Sequence, residues 1–126
     1  MLPQPMIGTY EGHVDAKGRM FLLSSFRVKL GDAVMAFVGD LPCVKLYSTE
    51  RLTNLRASGI TIPNADTARE CAFDAQGRIV IPIVSRDSAQ LVDRVIAIGV
   101  GDHLEIWNLE LFERNKTAVG HDPAKS

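Results

Sequence analysis

The sequence predicts a mainly β, α+β fold built from two similar halves, each with the element order β-β-α-β-β-α. The main observation is a motif that occurs twice, Asp-Ala-Lys-Gly-Arg at residues 15–19 and Asp-Ala-Gln-Gly-Arg at residues 74–78. A four-residue apolar run follows each copy, at residues 20–23 and 79–82. At 126 residues the chain is long enough for one domain with a core, whereas each half of about 50 residues would be marginal alone. The halves are therefore expected to share a core or to oligomerise.

Each copy of the motif has the residues of a tight hairpin turn. The Asp can accept hydrogen bonds from backbone N–H groups, and the Gly can adopt a positive φ. Arg19 and Arg78 begin the returning strands, so we expect their guanidinium groups to reach outward from the hairpin tips. The predicted turn-forming residues are Asp15, Gly18, Asp74 and Gly77.

The first half, residues 7–56, is predicted to begin with a hairpin whose arms are residues 7–14 and 19–23. Ser24 and Ser25 offer an N-cap for a short helix that Gly31 ends. A second hairpin follows, with strands at residues 33–38 and 43–47, and Ser48 is placed to cap a helix that runs to about residue 56.

Residues 57–68 contain Gly, Pro and Asn without clear periodicity and are predicted to connect the halves. The second half, residues 69–115, repeats the element order. Residues 116–126 form a polar tail that we expect to be frayed. The predicted elements of the second half are strands at residues 69–73, 78–82, 94–98 and 103–107, a short helix near 85–91, a turn at 99–102, and a last helix capped by Asn108.

The net charge of −1 gives no overall electrostatic reason to expect nucleic acid, but the charges are unevenly distributed. Between residues 12 and 30 the basic residues are opposed by Asp15 alone, so one face could be basic. No segment has the length and apolarity of a membrane span or a signal peptide, so a cytoplasmic protein is expected. The basic residues of this region are Lys17, Arg19, Arg27 and Lys29.

The sequence offers no pattern typical of an enzyme, a metal site or a cofactor site. Cys43 and Cys71 form no Cys-x-x-Cys pair and are interpreted as buried free thiols. The three histidines lack metal-ligand spacing and are interpreted as structural or exposed. Asp15 and Asp74 are better explained by their turns than as a catalytic pair, and residues 99–102 lack the rest of a phosphate-binding loop. No catalysis, cofactor or small-molecule substrate is predicted.

The doubled Asp-x-x-Gly-Arg motif, each copy followed by an apolar strand and an Arg-bearing short helix, resembles the MraZ family of AbrB-like, swapped-hairpin DNA-binding proteins. The strand-to-helix junctions at Tyr47-Ser48 and Trp107-Asn108 fit the same pattern, and the resemblance covers roughly residues 8–114. It implies a swapped-hairpin barrel and a regulator that binds double-stranded DNA, controls division and cell-wall genes, and assembles into a ring at the nucleoid. The DNA-contacting residues expected on this basis are Lys17, Arg19, Arg27, Lys29, Arg78 and Arg86.

Three alternatives remain open at the level of sequence. One is an antitoxin of the same superfamily, although such proteins usually carry one hairpin unit and a long toxin-binding tail. Another is a degenerate relative that keeps the assembly without DNA binding, and the third is an enzyme or small-ligand barrel. A homo-oligomer is expected in addition, because the helix faces at Leu52/Leu55 and Leu111/Phe112 would otherwise be short of partners.

Overall fold

The structure is a computed structural model that describes residues 6–115. Eight antiparallel strands form a near-closed barrel in the order β1-β7-β8-β4-β3-β5-β6-β2. The predicted mainly β, α+β class with four helices is confirmed. The strands are β1 (Met6–His13), β2 (Arg19–Met20), β3 (Val34–Val38), β4 (Val44–Ser48), β5 (Arg69–Phe73), β6 (Ile79–Val80), β7 (Arg94–Gly101) and β8 (Leu104–Asn108). The helices are α1 (Ser24–Leu30), α2 (Thr49–Ala57), α3 (Ile83–Ala89) and α4 (Leu109–Arg114), with a 3-10 turn at Ala65–Thr67.

The first predicted hairpin is wrong, because the arms on either side of the first turn pair with the other half. β1 pairs along its whole length with β7, and β2 pairs with β6. Gly99 allows this approach, since a Cβ there would lie 2.7 Å from the backbone of Met6. Pairing with β1 also extends β7 to Gly101, so the turn that was predicted at residues 99–102 begins later. In the second half, β5 and β6 do form a hairpin.

The exchanged strands relate the two halves by a pseudo-two-fold axis. Met20 and Ile79 hold the same place in the two motifs, and they are also directly opposite each other across β2 and β6. On another side of the barrel, Lys45 and Glu105 are likewise equivalent and directly opposite across β4 and β8. The axis therefore passes through both pairs, and each half completes the sheet of the other.

One hydrophobic core is drawn from both halves, in agreement with the expectation of a shared core. Met20 and Ile79 lie inside it with about 1% or less of their surface exposed, so the central pair of the axis is fully buried. Burial of this kind is the main stabilising term for a domain of this size. Further core residues from the two halves are Phe26, Val34, Leu46, Ile81, Val95, Leu104 and Ile106.

The helix N-termini agree only partly with the prediction. The Ser48 hydroxyl accepts a hydrogen bond from the Arg51 N–H at 3.0 Å, and the Asn108 side chain caps α4 in the same way. Ser24 does not cap α1. It is the first helical residue, and the preceding Leu23 holds the cap position with φ −57° and no side-chain hydrogen bond. Pro82 stands at the same place before α3 with φ −56°, a value that proline favours.

Helices α2 and α4 pack on outer faces of the barrel. Leu52 is buried in a cluster with Phe37, Tyr47 and Ala65, and Leu55 packs against the same cluster. The α4 residues Leu111 and Phe112 pack against the cluster that contains Trp107. The expectation that these two helix faces lack partners is therefore wrong, and it does not support oligomerisation. Between residues 6 and 115, no helix is both long and apolar enough to span a membrane.

The shared core predicts that the two halves unfold together. Ile79→Ala should lower the free energy of unfolding by about 2–5 kcal/mol, because it leaves a cavity at the centre of the core. Val28→Ala, at a side chain that is 80% exposed, should change it by no more than about 0.5 kcal/mol. Denaturant unfolding followed by Trp107 fluorescence and by far-UV circular dichroism should give one coincident transition. Two separated transitions would contradict a common core.

Candidate nucleic-acid interface

The two motif turns have the same geometry. One carboxylate oxygen of Asp15 accepts hydrogen bonds from the backbone N–H groups of Lys17 at 2.9 Å and Arg19 at 3.0 Å. The other oxygen accepts a hydrogen bond from Arg19 Nε at 2.7 Å. Asp74 repeats this pattern, with backbone bonds from Gln76 at 3.0 Å and Arg78 at 2.8 Å and a side-chain bond from Arg78 Nε at 2.7 Å. Gly18 and Gly77 complete the turns with φ values of +84° and +79°.

Both aspartates are held in the ionised form. The backbone N–H of Arg19 is the main cause that lowers the pKa of Asp15 to about 2, and its guanidinium adds to the effect. Desolvation opposes ionisation of Asp74, but hydrogen bonds from Arg78 outweigh it and lower the pKa of that carboxyl. Each motif therefore carries a neutral Asp–Arg pair. The expectation that the guanidinium groups simply reach outward is wrong, because Nε of each turns back to its own Asp.

The pairing of β2 with β6 brings the two motif arginines to one surface. Met20 and Ile79 point into the core, so the residues beside them in sequence point outward on either side of the pseudo-two-fold axis. Arg19, Phe21 and Arg78 line one groove of about 290 Å³. We call the surface formed by these three residues the arginine face. The side chains of Arg19 and Arg78 are 32% and 20% exposed.

Lys17 is exposed in the first turn, two residues before Arg19. The equivalent position in the second turn is Gln76, so the positive charge at this place belongs to one half only. Both residues donate a backbone hydrogen bond to the Asp of their turn. The two turns thus have the same backbone but different charge.

Arg86 stabilises the first turn from across the axis. Its Nε donates to the carbonyl of Ile81 at 3.0 Å, and Nη1 donates to the carbonyl of Ala16 at 3.4 Å. The guanidinium lies over the α-carbon of Gly18, where a Cβ would be 2.5 Å from Nε. The Ile81 N–H also donates to the Gly18 carbonyl at 2.8 Å. The first turn is therefore clamped to the second half.

Arg27 is occupied in a similar way within its own neighbourhood. Its guanidinium donates to the carbonyl of Gly31 and pairs with Asp32 at 2.9 Å, at the end of α1. It also lies 3.9 Å from the centre of the Phe73 ring, a cation–π contact that joins α1 to β5. Lys29, on the same helix, is half-buried. The structure does not bring Arg27, Lys29 or Arg86 onto the arginine face.

The cysteines and histidines considered from sequence are found in different surroundings. Cys43 and Cys71 are buried and unpaired, as expected, and burial raises the pKa of Cys71 to about 12. His13 contacts Asp93 on the surface, and His103 is buried beside Asp102. His121 lies outside the described residues. Within residues 6–115, no group of His, Cys, Asp and Glu could hold a metal ion.

Phe21 is a surface residue that the sequence analysis did not single out. Its side chain is 65% exposed, and the guanidinium of Arg78 lies 5.6 Å from the centre of its ring. The alternation of the strand could have indicated it, because Met20 faces the core and residue 21 must then face the same side as Arg19. Its place between the two arginines depends on the β2–β6 pairing, which the sequence alone does not reveal.

The chain is similar in sequence to a known protein family. Residues 65–119 match a family model described as "MraZ protein, putative antitoxin-like". A protein named Transcriptional regulator MraZ from Thermoanaerobacter pseudethanolicus is 37% identical over 93% of this chain and 92% of its own length. Proteins of the same name from Bifidobacterium longum and Lactiplantibacillus plantarum are 34% and 32% identical, over 89% and 87% of this chain and 83% and 86% of their own lengths. The chain belongs to the MraZ family.

The clamp on the first turn predicts unequal effects of the same substitution in the two motifs. Gly18→Ala meets an unfavourable positive φ, the Arg86 guanidinium and the backbone carbonyl oxygen of Ile81, whereas nothing lies within 4 Å of a Cβ at Gly77. Gly77→Ala should therefore cost about 1–2 kcal/mol of stability from backbone strain alone, and Gly18→Ala should cost more. Thermal and denaturant unfolding of the two variants measures this difference. Equal losses would show that Arg86 and Ile81 of the second half do not constrain the first turn.

Proposed function

We propose that this protein is a DNA-binding transcriptional regulator that binds double-stranded DNA through the arginine face and the adjacent Lys17. The observation that carries the proposal is the direct pairing of Met20 with Ile79, which puts Arg19 and Arg78 on one surface. Membership in a family whose members are named transcriptional regulators supports it. The proposed activity is binding without catalysis, in the cytoplasm at the nucleoid.

The Asp–Arg pairs suit this role because they orient the guanidinium groups in advance. Each Asp binds its arginine through Nε, so the terminal nitrogens are the donors that a phosphate or a guanine edge would use. A side chain that is already oriented loses less conformational freedom on binding. The accompanying cost is reduced attraction to the DNA, because each carboxylate offsets the charge of its arginine.

The contacts of the other basic residues narrow the proposed binding set. Lys17 is exposed beside the arginine face, and we propose that it contacts a phosphate as a point charge. We propose that Arg27 and Arg86 act indirectly, by holding α1 and the first turn in place. We propose that Lys29 contributes positive charge near the DNA and does not contact the DNA directly. The proposed direct contacts are Lys17, Arg19 and Arg78.

The small number of proposed DNA contacts on each chain favours an assembly that binds several sites at once. We propose a homo-oligomer, a ring as the family resemblance implies, that binds repeated sequences near division and cell-wall genes. Linked weak sites gain affinity from their high effective concentration. Exposed apolar side chains outside the arginine face are available for contacts between subunits. Within the described residues they are Ile7, Leu23, Val28, Ile60, Ile83, Val84 and Val92.

Removing either motif arginine should weaken DNA binding without unfolding the protein. We expect Arg19→Ala to lower the affinity for promoter DNA by more than tenfold, because a charge-assisted contact is lost. Arg78→Ala should have a smaller effect, since its side chain is less exposed and its half of the chain is more acidic. Fluorescence anisotropy at one salt concentration measures both.

Arg94→Ala is the matched control for these variants. It removes a guanidinium that is 64% exposed on β7 and pairs with Glu11, at a surface that is not proposed to bind DNA. Its affinity should equal that of the wild-type protein. Unchanged affinity of Arg19→Ala, or an equal loss in Arg94→Ala, would contradict the assignment of the arginine face.

The dependence of affinity on salt should show whether several subunits bind together. Three phosphate contacts per chain correspond to a slope of about −2.7 for log affinity against log salt concentration. A fragment with several binding repeats should give a steeper slope and a higher affinity than a fragment with one. Equal slopes and affinities, or a monomer mass by light scattering at micromolar concentration, would reject the multivalent assembly.

A further inference from the structure

We propose that Phe21 makes a direct apolar contact with a DNA base and so contributes to sequence specificity, an inference that rests on the proposed function. Phe21 lines the same groove as Arg19 and Arg78, with 65% of its side chain exposed. The ring lies near the guanidinium of Arg78, and most of its surface is open to solvent. An aromatic ring at a DNA-binding surface can contact a thymine methyl group or the face of a base.

The backbone at Phe21, just after β2, is held by a hydrogen bond from β1. The Tyr10 hydroxyl donates a hydrogen bond to the Phe21 carbonyl at 2.9 Å. Tyr10 is itself half-buried, and its ring stacks on the core residue Phe26 with 5.7 Å between the ring centres. The guanidinium of Arg78, 5.6 Å from the Phe21 ring centre, orients the ring. Phe21 is therefore presented to solvent from a defined position.

The acidic residues of the groove weaken its attraction for phosphates, so an apolar contact with a base would add to the affinity for DNA. Asp15 and Asp74 offset Arg19 and Arg78, and Asp93 also lines the groove beside His13. The attraction of this surface for phosphates is therefore modest, and phosphate contacts do not distinguish one sequence from another. A contact between an apolar ring and a base adds affinity that depends on sequence and releases no counterions.

The two halves of the chain differ at the position of Phe21. The residue equivalent to Phe21 in the second motif is Val80, which is smaller and half-buried. The arginines are thus nearly symmetric about the axis, while the aromatic ring lies on one side only. A subunit with this arrangement would bind a DNA site in one preferred orientation.

The test compares Phe21→Ala with Arg19→Ala on two DNA duplexes. One duplex is selected by the wild-type protein from a random-sequence pool, and the other is an unselected duplex of the same length. Phe21→Ala should bind the selected duplex about tenfold more weakly, bind the unselected duplex as the wild-type does, and keep the wild-type salt slope. Arg19→Ala should weaken binding to both duplexes and reduce the magnitude of the slope by about 1.

Phe21→Leu separates a base contact from an effect on Arg78. Leucine keeps much of the apolar surface but loses the cation–π contact, so its affinity for the selected duplex should lie between those of the wild-type and Phe21→Ala proteins. A reduced salt slope in Phe21→Ala would show that the ring only positions Arg78, and would overturn the inference. A lower oligomer mass in that variant would instead make Phe21 a subunit contact and would also overturn it.

The failure of this inference can be distinguished from failure of the proposed function. If Arg19→Ala loses affinity while Phe21→Ala binds both duplexes as the wild-type does, the base contact alone is rejected. If the wild-type protein selects no duplex, or neither variant changes binding, the proposed function fails and the role of Phe21 fails with it. Thermal unfolding of each variant confirms that the compared proteins are folded.

Discussion

The pairing of two very short strands, β2 and β6, determines the arrangement of the whole molecule. It places Met20 opposite Ile79 at the pseudo-two-fold axis, joins the halves into one core, and brings the two motif turns to the same side of the barrel. Because side chains alternate along a strand, burying these two residues forces the arginines beside them to the surface. The stability of the core and the position of the arginine face therefore have one structural origin.

The Asp–Arg pair in each motif has two effects that act in opposite directions on DNA binding. It closes the turn, with three hydrogen bonds from backbone and guanidinium groups to a single carboxylate. It also orients the arginine while reducing its net attraction for phosphate. A chain with a net charge of −1 and three proposed direct contacts would then be expected to bind weakly as one subunit. Assembly into a homo-oligomer is the proposal that reconciles weak individual sites with binding to a promoter.

Local features of the sequence predicted much of this structure. The repeated motif predicted the tandem halves, and Asp followed by Gly at a fixed spacing predicted turns whose geometry both copies share. Ser48 and Asn108 predicted two helix starts, because an N-cap depends on neighbouring residues only. The prediction that Ser24 caps α1 was wrong, because Leu23 occupies the cap position and the serine lies inside the helix.

The pattern of residues along the chain did not show which distant strands pair with each other. Strands of two residues carry too little pattern to specify a partner, so the exchange of β2 between the halves was implied by the family resemblance and not by the strands themselves. The long-range contacts of Arg27 and Arg86 were missed for the same reason. The Phe73 ring and the Ala16 carbonyl are far from these arginines in sequence and become their neighbours only in the folded barrel.

The most direct measurement of the central claim is hydrogen–deuterium exchange of the protein with and without promoter DNA. The arginine face predicts slower exchange on DNA binding in peptides that cover residues 14–23 and 73–82. Peptides that cover α2 and α4 lie on other faces of the barrel. They should exchange at the same rate in both samples, provided that the protein has the same oligomeric state with and without DNA. Protection confined to α2 or α4, with residues 14–23 and 73–82 unchanged, would contradict the account.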